Sequence, residues 1–123
     1  MNETEKGSSN LTFDHAELLA RVDHDRELLH HLLTIFKEEF PRHLRALREA
    51  VESGDGKLVA VAAHTLKGTL LNLAAGQAAS SVGRLEELGR NGETSGFQDA
   101  LAAFERNATS LLPRLDACMA EVH

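Results

Sequence analysis

Between Asp23 and Ser53 the apolar residues Leu28, Leu29, Leu32, Phe36, Phe40, Leu44, Leu47 and Val51 advance by three or four positions, while Glu, Lys and Arg fill the gaps. That spacing puts about one side chain per turn on a single face, so the segment predicts one long amphipathic helix with a stripe to bury. Pro41 lies inside the run and removes a backbone donor. The apolar phase continues across it, which predicts a bend there and not a termination.

Three further helical stretches supply partners for that stripe. Ser53-Gly54-Asp55-Gly56 ends the first long helix and lets Asp55 cap a second, which runs to about Ala74 with Ala62, Leu66, Thr69 and Leu73 inward. A tight turn at Gly76 leads to a third helix ending at Gly89 to Gly92, with Ala79, Val82, Leu85 and Leu88 inward. Asn91-Gly92 is a hairpin signal in isolation, but its flanks have helical period, so it reads as a helix-to-helix loop. Thr94 or Ser95 caps the last helix, whose stripe is Phe97, Leu101, Phe104, Ala108, Leu111, Leu112, Leu115 and Met119, with Pro113 a second point of bending. A short helix capped by Thr12 or Asp14 and ending near Arg21 or Val22 precedes them as a lid. The fold class is all-α: an up-down-up-down antiparallel four-helix bundle with a short N-terminal lid helix. Residues 1–11, poor in apolar side chains, form a disordered tail or linker, and residues 12–123 form the domain.

Composition narrows the function classes. A net charge of -6 without any basic run argues against binding the phosphate backbone of nucleic acid and favours a protein partner. Cys118 is the sole cysteine and can form no internal disulfide, and its helical spacing from Leu112 and Leu115 makes it a small core residue suited to a reducing compartment. The polar, acidic N-terminus lacks the apolar segment of a secretory signal, and no apolar run approaches the roughly 20 residues needed to span a bilayer. A soluble, cytoplasmic and monomeric domain is expected.

The chemistry concentrates at Ala63-His64-Thr65-Leu66-Lys67-Gly68. On a wheel counted from Leu58, His64 falls at about 240°, nearly opposite the inward stripe, and Lys67, Gly68 and Leu71 share its outward face. A displayed imidazole that is largely neutral near pH 7 keeps one ring nitrogen with a free lone pair, which is a nucleophile. Lys67, one turn on, can place its ammonium beside a charged group carried on that nitrogen. Gly68 costs about 1 kcal/mol in mid-helix and removes the side chain that would crowd the histidine, which fits close approach by another macromolecule. The other histidines, His15, His24, His30, His31, His43 and His123, make no paired ligand set with a supporting carboxylate, and no metal site is expected. A glycine-rich nucleotide loop is missing too, so no ATP site is visible.

These residues, with Asn72-Leu73-Ala74-Ala75 after them, the Gly54-Asp55 turn before the helix and Leu85-Glu86-Glu87-Leu88-Gly89-Arg90 beyond it, resemble the signature of histidine phosphotransfer (HPt) domains. The resemblance extends from about Phe13 to Val122. It implies a phosphorelay carrier in which His64 accepts a phosphoryl group through Nε2 from the aspartate of a response-regulator receiver domain and passes it to another receiver. Lys67 would stabilise phosphoryl charge, Gly68 would give access, and Ala60, Leu71 and Ala75 would dock the partner. The domain would hold no cofactor of its own, Mg²⁺ being expected in the receiver, and a hybrid sensor histidine kinase is a further expected partner. The family usually has Gly-Ala where this chain has Ala74-Ala75, a departure that bears on helix packing or the partner's approach and leaves the reactive group untouched.

If the helices on either side of Ala75-Gly76 run antiparallel, His64 lies level with Glu86 and Glu87. Either carboxylate could accept from Nδ1-H and leave Nε2 free for attack, and Glu86, next to inward Leu85, is favoured. The plainer role for Glu86 is an intrahelical pair with Arg90 at i, i+4. Two alternatives stay open for the whole domain: a chemotaxis-kinase-like phosphotransfer domain phosphorylated by a kinase domain, and a non-catalytic helical adaptor.

Overall fold

The computed structural model describes residues 15–121, so the expected caps of the lid helix, Thr12 and Asp14, lie outside the described residues. The elements are α1 (His15–Arg21), α2 (Arg26–Ser53), α3 (Gly56–Asn72), α4 (Gly76–Asn91), a 3₁₀ turn (Thr94–Gly96) and α5 (Phe97–Glu121), with no strand among the described residues. Helix ends follow from local chemistry. Asp23 and His24 take left-handed φ values of 57° and 61° after α1, a conformation that Asp and His adopt more readily than most residues, so α2 begins at Arg26 and not at Asp23. Asp25 caps it by accepting from the Leu28 amide at 3.0 Å. Gly54, at φ 73°, closes α2, and the Asp55 carboxylate accepts from the Lys57 and Leu58 amides to start α3. Both Pro41 and Pro113 lie inside uninterrupted helices. Thr94 and Ser95 form the 3₁₀ turn ahead of α5 instead of capping it directly.

Each long helix packs on its neighbour in the chain, and α2 closes the ring against α5. Cross-links show the direction of travel. Lys37 and Arg48 of α2 pair with Asp116 and Glu105 of α5, residue numbers rising on one helix as they fall on the other. The same antiparallel register brings Gly56 of α3 beside Gly89 of α4 and His64 beside Glu86. The enclosed core includes Leu29, Leu33, Phe36, Phe40, Leu66, Leu70, Val82, Leu85, Phe97, Phe104 and Cys118.

Two inward stripes differ from the expected ones. On α3 the buried residues are Val59, Ala63, Leu66, Leu70 and Leu73, while Ala62 and Thr69 are only half-buried, a rotation of about 50° on the wheel. Its cause is the crossing with α4. A Cβ on Gly89 would stand 2.7 Å from the Gly56 carbonyl oxygen and 2.8 Å from the Ala60 amide nitrogen, so the absence of a side chain there lets the two backbones meet on that side of α3. On α2, Leu28 and Leu32 are exposed and Leu33 and Ala50 are buried instead, because the apolar sector of this helix is wider than α3 and α5 cover.

The turn between α3 and α4 is made by Ala74, not Gly76. Ala74 sits at φ 57°, while Gly76 is simply the first residue of α4. Orphan carbonyls at the end of α3 are satisfied by the Ala74 and Ala75 amides, and Arg21 of α1 donates to the Leu71 carbonyl at 2.5 Å. A methyl in the left-handed region costs about 1–2 kcal/mol, which accounts physically for glycine being the usual residue here. Ala74→Gly should therefore raise stability by roughly 0.5–1 kcal/mol, the gain being trimmed by the freer unfolded chain. Urea unfolding should show a higher midpoint at unchanged slope, and a lower midpoint would mean that the methyl's packing outweighs the strain.

Candidate functional site

α3 and α4 position the site because their antiparallel crossing aligns outward residues of the first with one inward carboxylate of the second. His64, with 67% of its side chain exposed, stands on the outer surface of α3. Directly beneath lies Glu86, 1% exposed and the one charged residue among the described residues that is fully buried. Its Oε2 is 2.9 Å from His64 Nδ1 and 2.5 Å from Arg90 Nη2, and its Oε1 is 2.9 Å from Lys67 Nζ. The plain and the specific roles considered for Glu86 therefore coexist on one carboxylate. Glu87, the other residue level with His64, is exposed.

Burial pushes the Glu86 carboxyl up, but hydrogen bonds from Lys67 and His64 and the charges of Lys67 and Arg90 outweigh it and hold the group below the usual carboxylate range. Glu86 is thus an anion at neutral pH, and a carboxylate can only accept. Nδ1 must then carry the hydrogen, and in the neutral ring the lone pair is left on Nε2, the nitrogen facing away from Glu86. The arrangement holds an outward nucleophile in one tautomer, with a negative charge placed to stabilise the imidazolium that attack would create.

Lys67, expected beside a phosphoryl group, is held against Glu86 in the unmodified protein. Gly68 is exposed, and a Cβ added there would meet nothing within 4 Å, so it opens the surface next to His64 and serves no helix contact. Leu71 is 48% exposed on the same side. The other two expected docking residues behave differently: Ala75 is fully buried, turned into the core by the left-handed Ala74 before it, and Ala60 is half-buried under Gly89. Ala75 is accordingly removed from the exposed face. Val61, 66% exposed and one turn before His64, is the apolar neighbour that sequence reasoning missed, although its i-3 spacing was a usable signal. An open concavity of about 410 Å³ between α3 and α4 is lined by Lys67, Leu71, Gly83, Arg84, Glu86 and Arg90, so three cations gather around the Glu86 carboxylate's side of the site.

A helical bundle that displays a histidine over a buried carboxylate and beside a lysine defines a class of phosphoryl carrier. The model of the Hpt domain family matches residues 31–123, and the chain belongs to that family. Its function is therefore that of a phosphotransfer domain in a phosphorelay. Among solved structures the chain is similar to histidine-containing phosphotransfer protein B (HptB) of Pseudomonas aeruginosa PAO1, at 24% identity over 89% of this chain and 96% of that one, with a TM-score of 0.83, a likeness of fold. A comparison with curated proteins returned no match.

The lowered Glu86 value has a consequence for acid stability. Its folded pKa lies below that of the unfolded chain, about 4.3, so the unfolded state holds more protons in that interval and stability falls as pH drops through it. The contribution is complete above the unfolded value. Glu86→Gln should flatten the acid limb of a stability–pH curve relative to wild type as pH falls below the unfolded value of about 4.3. Parallel curves for the two proteins would show that Glu86 gains nothing from its cations.

Proposed function

We propose that His64 is the phosphoacceptor and that Nε2 attacks the phosphorus of a receiver aspartyl phosphate, the N–P bond forming as the bond to the aspartate oxygen breaks. The observation that carries this proposal is the 2.9 Å contact of Nδ1 with a buried carboxylate, which leaves Nε2 as the outward lone pair. Glu86 stabilises the N-phosphorylated imidazolium, and Lys67 and Arg90, both paired with Glu86, supply positive charge at the site. Phosphoryl transfer depends mainly on in-line positioning and charge neutralisation, so a carrier with few reactive groups suffices. The divalent cation is assigned to the receiver.

Work with receiver domains and kinases is general to the family. We assign the receiver face to Leu71 and Val61, whose exposed side chains flank His64, with Gly68 leaving room between them. Among the described residues no helix is long and apolar enough to cross a membrane, and we place the domain in the cytoplasm with its receivers.

His64→Gln should keep the fold and accept no phosphate from phosphorylated receivers, assayed as acid-labile, alkali-stable label. Label on the variant would remove His64 from its role, while labelling of wild type only by a kinase with ATP would favour the chemotaxis-like alternative. Leu71→Asp should raise the receiver KM about tenfold with a melting temperature near that of wild type, because a half-exposed apolar contact contributes on the order of 1 kcal/mol or more to docking. An unchanged KM would move the receiver to another face.

A further inference from the structure

Gly83 lies near the middle of α4, half-buried, with no left-handed φ to require glycine. Glycine is the poorest helix former after proline, so its presence there needs a cause outside the helix. Backbone crowding is not the cause. A Cβ at Gly83 would meet a single atom within 4 Å, Cδ of Lys67 at 3.3 Å, whereas one at Gly89 would strike the backbone of α3. Contact at 3.3 Å is closer than the 3.5–4.0 Å optimum for carbon pairs. Glu86 follows Gly83 by three residues on the same face of α4, so the Lys67 stem passes over Gly83 and its Nζ ends 2.9 Å from Glu86 Oε1.

We propose that Gly83 is a positioning residue for Lys67: the bare backbone at this point of α4 is the trough in which the lysine stem lies, and the trough keeps the ammonium within reach of both Glu86 and His64. The inference rests on His64 being the phosphoacceptor. Without the trough the stem is lifted off α4, and the ammonium moves away from the carboxylate and from the position next to the imidazole where phosphoryl oxygens would come. Helix formation and phosphotransfer then make opposite demands on residue 83. Alanine improves the helix and disturbs the lysine slightly, and leucine fills the trough.

The test combines Gly83→Ala, Gly83→Leu and Lys67→Ala with the double variant Gly83→Leu/Lys67→Ala. Gly83→Ala should raise the denaturation midpoint while slowing single-turnover transfer from a phosphorylated receiver. Gly83→Leu should slow it by about tenfold, as much as Lys67→Ala, the loss of one partly exposed charge donor. In the Lys67→Ala background Gly83→Leu should have no further effect. A carboxyl NMR titration of Glu86, which needs no phosphotransfer, supplies the second readout. Its midpoint should rise alike in Lys67→Ala and Gly83→Leu, with His64 and Arg90 still in place. Wild-type transfer with Gly83→Leu, equal slowing in both lysine backgrounds, or an unmoved Glu86 midpoint would overturn the role of Gly83. Failure of wild type to take phosphate on His64 would instead overturn the assignment of the acceptor, leaving the titration to judge the trough.

Discussion

One carboxylate, buried to 1% exposure and shared among His64, Lys67 and Arg90, is the interaction on which the site depends. A buried charge without partners is costly, and one carrying several good hydrogen bonds holds its partners in place. Glu86 needs cations from two helices, so it ties the outer surface of α3 to α4 at one level of the bundle. In return it gives the imidazole a fixed tautomer and orientation while leaving most of that ring in solvent. Rigid support below and free access above are what a carrier requires, since its nucleophile must meet successive partners in the same geometry.

The backbone is arranged so that this contact can form. Gly89 and Gly56 allow α3 and α4 to approach at the end of the bundle away from the Ala74 turn, and the antiparallel register then brings Glu86 under His64. At the opposite end, Arg21 of α1 holds the last turn of α3 through the Leu71 carbonyl. Strain at Ala74 is local to that turn, two helical turns or more from His64.

Much of this was legible from spacing. Helical period gave four long helices, and glycine with a capping aspartate marked the α2–α3 boundary. Counting residues on either side of the α3–α4 turn put His64 level with Glu86. What spacing missed has identifiable causes. The buried stripe of α3 is set by where α4 sits, and that depends on missing side chains at Gly56 and Gly89, which carry no period. Helical phase carried past Asn72 would keep Ala75 on the outward face with Leu71, but the chain has left the helix by then and Ala75 is buried. The left-handed turn fell to Ala74 because nothing in an alanine announces positive φ. Exposed Leu28, Leu32 and Ile35 show that an apolar residue in phase with a stripe is still outside when none of the described helices covers it.

The central claim is that Glu86 holds His64 with its hydrogen on Nδ1 and its lone pair on Nε2. Two-bond proton–nitrogen correlation spectra of the unphosphorylated protein, recorded at a pH where the ring is neutral, report the tautomer of each histidine directly. The account predicts that His64 in wild type shows one tautomer with Nδ1 protonated and Nε2 bare, and that Glu86→Gln, whose amide can accept or donate, relaxes this to a mixture. A wild-type His64 protonated on Nε2, or a tautomer ratio unchanged by Glu86→Gln, would contradict it.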